Sequence, residues 1–191
     1  MHLPTGKLAT TAKENAEVLG PHFEKVFNNH RMIEWNVIDK IKQRQTMYEL
    51  NEPISWAELK TAIEKLANDK APGLNKVRPN SFKSLRNSNL SHLLTFLKQY
   101  WEGEADFAEW HEGQLVPVPK SGDLSDPNKW RGVTLMYIGS KVFSRILCAR
   151  LFQVTNKHGV KYQFGSTPGV GCQDGTFTIK TLLHLCISCH T

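Results

Sequence analysis

The sequence predicts an α+β fold, mainly helical, with one small antiparallel hairpin sheet. Apolar residues recur at helical spacing in several separate stretches, whereas only residues 113–135 read as two extended segments joined by a polar loop. The length points the same way, because 191 residues, 40% of them hydrophobic, suffice for one domain with a sizeable core and not for two large ones. Residues 1–50 are therefore expected to be a helical N-terminal extension and linker, and residues 51–191 the main domain.

Taken in order, residues 12–28 place Ala16, Leu19, Phe23, Val26 and Phe27 on one stripe. A proline removes a backbone donor and crowds the preceding turn, so Gly20-Pro21 predicts a break into two short helices. Residues 31–50, with Ile33, Trp35, Val37, Ile38 and Ile41 among polar neighbours, read as linker or a loosely docked helix. Next, Ser55 and Glu58 form a capping box, and Ile54 and Leu59 occupy the positions of a hydrophobic staple. Leu59, Ala62, Ile63 and Leu66 line one face of that helix, which is expected to run until Lys70-Ala71-Pro72-Gly73 stops it. A short helix is predicted at 80–85 and a longer one at 89–102, with Leu90, Leu93, Leu94, Leu97 and Trp101 at core spacing. Trp101 and Trp110 adjoin apolar stripes and are expected to pack rather than to stack on bases.

In the hairpin, Pro117 and Pro119 alternate within Leu115-Val116-Pro117-Val118-Pro119 and remove two donors from one side, so this segment should be an edge strand. Residues 130–136 are its partner. The loop between them, with Gly122, Asp123, Asp126 and Pro127, is longer than a tight turn needs and is expected to be mobile. One basic residue, Lys120 or Arg131, stands at each root. A helix at 140–154 puts Val142, Phe143, Ile146, Leu147, Leu151 and Val154 on one side and Lys141 and Arg145 on the other. Finally, a Gly-rich loop from Gln163 to Gly171 leads into a helix capped by Asp174. Its glycines miss the dinucleotide fingerprint, and no Lys-Ser/Thr pair of the phosphate-loop type follows; close backbone approach to a polymer or another strand is the reading left.

Charge is unevenly placed. Residues 128–191 hold eight Lys/Arg and one acid, Asp174, so this third carries +7 while the whole chain carries +6, and it should face a polyanion. Cys148, Cys172, Cys186 and Cys189 lie there too and are expected to be reduced thiols, some of them buried. Cys186, Cys189 and His190, with His184, have the spacing of a haem or zinc set but fall inside an apolar helical run, which favours a plain helix. No run approaches the ~20 apolar residues of a membrane span, so no membrane partner is expected and the chain should be intracellular, in the cytoplasm or nucleus.

The succession NEPISWAELKTAIEKLANDKAPGLNKVRPNSFKSL, QLVPVPKSGD, NKWRGVTLMYIGSKVFSRILCARL and QFGSTPGVGCQDGTFTIKTLLHL resembles, from about residue 51 onward, the N-terminal fingers portion of a non-LTR (LINE-type) retrotransposon reverse transcriptase. The resemblance implies a fingers subdomain and the start of a palm, truncated before the catalytic aspartates, so no catalytic residue and no metal ligand is assigned. It implies that Lys120 and Arg131 hold the incoming triphosphate and that Gln163, Phe164 and Gly165 lie near template and nucleotide, with Lys141 and Arg145 as further nucleic-acid contacts. RNA template, DNA primer, dNTP and the missing palm and thumb segments are the implied partners, and Mg2+ is implied for the full-length enzyme. Two departures stand out: Asn75 and Lys76 replace the family's Asp-Gly after Lys70, Pro72 and Gly73, and one extra residue separates Asn128 from Arg131. The alternatives are a non-catalytic nucleic-acid-binding module or remnant and a zinc module built on Cys186, Cys189 and His190.

Overall fold

The computed structural model describes all residues except 2, 4, 30–38, 41, 43–44, 160–162 and 189–191, and the side chains of 184–188. The linker expectation for Ile33, Trp35, Val37, Ile38 and Ile41 lies outside the described residues. The order is α1 (Ala12–Phe27), α2 (Trp56–Glu64), α3 (Pro79–Lys83), α4 (Asn87–Glu102), β1 (Gly113–Pro119), β2 (Trp130–Met136), α5 (Ile138–His158) and α6 (Cys172–Ser188). The architecture is mostly helical with a two-stranded antiparallel sheet. The chain divides within α5 into two compact units, Met1–Ile146 and Leu147–Thr191.

The core belongs to the first unit. Ile54, Leu59, Leu97, Ile138, Val142 and Ile146 are fully buried in one cluster contributed by α2, α4 and the first turns of α5. Burying each such side chain stabilises by about 1.5–3 kcal/mol, so this cluster dominates the unit.

Local signals explain the helix starts. The Ser55 amide donates to Glu58 Oε2 at 2.8 Å and the Glu58 amide to Ser55 Oγ at 3.3 Å, and the staple residues Ile54 and Leu59 are both buried. α2 nevertheless ends at Glu64, earlier than the Pro72 signal suggested. Leu66 turns into the core, and Asp69 adopts a left-handed φ of 55° while exchanging hydrogen bonds with Asn80 at the start of α3. A tertiary tie therefore ends the helix before the proline can.

α1 also differs from expectation. It is one continuous helix through Gly20-Pro21, opened by a Thr11/Glu14 capping box that the sequence reading overlooked. Leu19 and Phe23 are buried on either side of the proline, so packing carries the helix on across a lost backbone hydrogen bond. Ala16, Val26 and Phe27, placed in the same stripe, are exposed.

Trp101 and Trp110 are packing residues, as expected. Trp101 donates through Nε1 to the Asn51 carbonyl at 3.3 Å, and Trp110 stands 4.9 Å from the Tyr100 ring and 5.1 Å from the Phe107 ring. Cys148 and Cys172 are free thiols, as expected, and both are exposed. The Cys186 side chain, Cys189 and His190 fall outside the described residues. Among those described, no helix is long and apolar enough to cross a membrane.

Candidate functional site

The hairpin pairs Gly113 with Met136 through to Pro119 with Trp130. Its hydrogen-bonding phase follows from two observations. The Lys120 amide donates to the Lys129 carbonyl at 2.7 Å, just beyond the last strand pair, whereas the Trp130 amide turns away to Pro127. Ladder bonds alternate along an antiparallel strand, so Pro117 and Pro119 face the free edge, where no donor is needed. The edge-strand reading of the prolines holds.

Side chains alternate across the sheet with the same period. Arg131 is paired with Val118, and Lys120, two residues on and just past the end of β1, keeps the alternation through its bond to Lys129, so both cations belong to one face with Val133. That face is open: Val118 and Val133 are exposed, as are Lys120 and Arg131. The opposite face carries Trp130 and Gly132. A Cβ on Gly132 would stand 3.2 Å from Phe23 Cε1 and from Phe27 Cε2, and Trp130 packs on the Leu19 and Phe23 cluster. Helix α1 thus backs the hairpin, and the glycine lets the two come close.

The loop is braced rather than loose. The Asp123 carboxylate accepts from the Ser125 amide at 2.9 Å and from Ser125 Oγ at 2.7 Å, and Asp126 accepts from the Asn128 amide at 2.9 Å and from Asn128 Nδ2 at 2.8 Å. Donation from Ser125 and from Asn128 holds both carboxyls below the usual carboxylate range. Trp130 Nε1 donates to the Leu124 carbonyl at 3.1 Å and Lys120 Nζ to the Asn128 carbonyl at 2.9 Å. Lys129, which the sequence reading passed over, stands opposite Lys120, with its Cε 3.6 Å from where a Cβ on Gly122 would lie. Only the pairing register reveals it as a third base at the root of the loop.

Lys141 and Arg145 lie one turn apart on α5 and are half-buried. They flank the buried stripe of Val142 and Ile146 instead of standing opposite it, because each directly precedes a core residue. Gln163, Phe164 and Gly165 belong to the second unit. There Gln163 Nε2 donates to the Gly165 carbonyl at 3.0 Å, Thr167 Oγ1 donates to the Gln163 carbonyl at 2.7 Å, and the Phe164 ring covers Gly175. A cavity of about 850 Å3 opens beside this loop, with Lys157, Gln163, Phe164 and Ser166 in its wall. Asp174 lies in the first turn of α6, where it accepts the Gly171 amide at 2.7 Å.

No family model matches the chain. It is 26% identical over 153 residues to "Transposon TX1 uncharacterized 149 kDa protein" of Xenopus laevis, covering 78% of this chain and 11% of that protein. Two Drosophila melanogaster proteins, "Probable RNA-directed DNA polymerase from transposon BS" and the same from transposon X-element, are each 22% identical over 87% and 86% of this chain and 19% of their own length. The chain is related to non-LTR retrotransposon proteins. It spans between about a tenth and a fifth of the length of these curated relatives.

In this retrotransposon-related chain the substituted stretch after Pro72 closes a hydrogen-bonded turn. The Lys76 amide donates to the Gly73 carbonyl at 3.0 Å and the Val77 amide to Asn75 Oδ1 at 3.2 Å, so Asn75 makes the side-chain turn an aspartate would make. Lys76, standing where the resemblance has glycine, adopts a left-handed φ of 58°. Gly73 is required for another reason: a Cβ there would lie 2.8 Å from the Met136 carbonyl oxygen at the end of β2.

Proposed function

We propose that the chain is the fingers portion of a retrotransposon RNA-directed DNA polymerase, that Lys120 and Arg131 hold the triphosphate of the incoming nucleotide, and that Lys141, Arg145, Gln163, Phe164 and Gly165 contact the nucleic acid. The observation that carries this reading is the hairpin register, which sets Arg131 and Lys120 on one open face, two positions apart, with α1 stiffening the other face. Phosphoryl transfer develops charge on the triphosphate, and fixed cations stabilise it without reorganising. Arg131 offers a planar fork for two phosphate oxygens. Lys120 offers a point charge whose present partner, a neutral carbonyl, is readily exchanged for phosphate.

Mg2+ is implied for the whole enzyme, but the described residues do not suit it. Asp123, Asp126 and Asp174 are each engaged by their own loop or helix start, and among the described residues no three His, Cys, Asp or Glu converge. No step through the metal is assigned to this chain. The partners under this reading are an RNA template, a DNA primer and a dNTP, together with polymerase segments outside residues 1–191.

The test places Lys120→Ala and Arg131→Ala in the full-length polymerase. Each lost charge-assisted contact is worth about 1.5–3 kcal/mol, so KM for dNTP should rise about ten- to hundredfold while affinity for the primed template stays within about twofold. Equal loss of both would identify a general polyanion patch, the mark of a non-catalytic nucleic-acid-binding module.

A further inference from the structure

A second surface of the first unit has the opposite character to the basic C-terminal third. Residues 99–119 contain five acids, Glu102, Glu104, Asp106, Glu109 and Glu112, and no Lys or Arg, in a chain whose net charge is +6. Two of them, Asp106 and Glu109, stand in the wall of a groove of about 480 Å3 between α4 and the turn that follows it, lined chiefly by Leu93, Phe96, Phe107 and Trp110. Its apolar floor is built, not incidental. The Phe107 ring stacks on Tyr100 at 5.8 Å and meets Phe96 edge-on at 6.1 Å, while the Phe96 side of the groove remains half exposed, at 50%.

Exposed aromatic rings beside a nucleic-acid-related fold invite a base-stacking reading. The charges oppose it. A phosphate backbone entering here would meet the carboxylates of Asp106 and Glu109, in a stretch of chain without Lys or Arg. Burial, and after it Glu109 and Glu112, push the Tyr137 phenol up, so the field of these acids reaches past the groove itself. The only base in the stretch, His111, has its Nε2 2.6 Å from Asp106 Oδ1 at the rim.

We propose that this groove is a protein-docking site for a basic peptide segment that inserts one or two apolar side chains between Phe96 and Trp110 and lays flanking arginines over the acidic rim. The volume suits a leucine pair, the rings offer faces for guanidinium groups, and the rim supplies the complementary charge that steers such a segment in. The proposal stands apart from the nucleotide-binding reading, since it uses none of the same residues.

The probe is a fluorescein-labelled peptide of two leucines flanked on each side by three arginines, titrated against the full chain by anisotropy. Replacing the leucines by serines should weaken binding about tenfold, as should Phe96→Ala, while Phe96→Leu, which refills the groove, should stay within about twofold of the parent. Asp106→Asn with Glu109→Gln should weaken binding and flatten its salt dependence. Circular dichroism of each variant confirms the fold. If Phe96→Ala or the leucine-free peptide binds as tightly as the parent, the attraction is charge alone and the proposal fails. It fails equally if Phe96→Ala lowers affinity for a labelled oligouridylate by the same factor, for then the rings serve RNA.

Discussion

Lys76 adopts a left-handed backbone conformation of the kind usually left to glycine. Left-handed geometry costs a non-glycine residue about 1–2 kcal/mol, against roughly 0.5–1 kcal/mol of extra chain entropy that glycine loses on folding. Lys76 bears that strain at φ 58° because the turn is held by Asn75 within it and by Gly73, packed on the end of β2. Lys76→Gly should therefore stabilise the chain by about 0.5–1 kcal/mol, read as a higher urea midpoint with unchanged slope; a lower midpoint would mean that the lysine side chain makes a compensating contact. The departure was visible in the sequence, but its conformational consequence was not, because Asn75 could have either lost the turn or rebuilt it.

At the scale of the element, α1 depends on its first turn. Glu14 accepts from the amides of Thr10 and Thr11 at 2.9 and 3.0 Å and from Lys7 Nζ at 3.2 Å, and these donors, the backbone ones first, lower its carboxyl from 4.5 to about 2. A carboxyl whose folded value is depressed stabilises the fold fully above the unfolded value, and that contribution is lost as the pH falls through the folded value. The stability difference between the native chain and Glu14→Gln should thus be constant above about pH 4.5 and fade toward pH 2. Thermal melts across that range measure it, and a difference independent of pH would show that the cap works through shape alone. The same helix supports the hairpin, since Phe23 and Phe27 fill the space left by Gly132. Helical spacing alone predicted a break at Pro21, because a local rule cannot include the burial of Leu19 and Phe23 on either side of it.

Across the whole molecule, burial is unequal. Among the described residues every buried one belongs to the first unit, and from residue 147 to 183 no described side chain is buried, while Phe177, Ile179, Leu182 and Leu183 on α6 are between 57% and 72% exposed. Local stability follows buried apolar contact, so amide hydrogens of α6 should exchange at least about tenfold faster than those of α4, where Leu90 and Leu97 are buried. Equal protection, measured by mass spectrometry on the full chain, would mean that α6 is covered in solution.

What the sequence determined by itself was whatever rests on neighbours along the chain: the Ser55/Glu58 cap, the core spacing of α4, the two prolines on a free edge, and the hairpin with Lys120 and Arg131 at its roots. What only the tertiary structure decided was whatever rests on contacts between distant segments. Register put Lys120 and Arg131 on one open face and added Lys129. Carboxylates of Asp123 and Asp126 close turns within the loop, packing carried α1 through Pro21, and the course of α5 half-buried Lys141 and Arg145. The physical reason is common to all of these. Capping and periodicity act within a few residues and leave a readable pattern, whereas burial and strand phase depend on which surfaces meet, and those surfaces come from parts of the chain far apart in sequence.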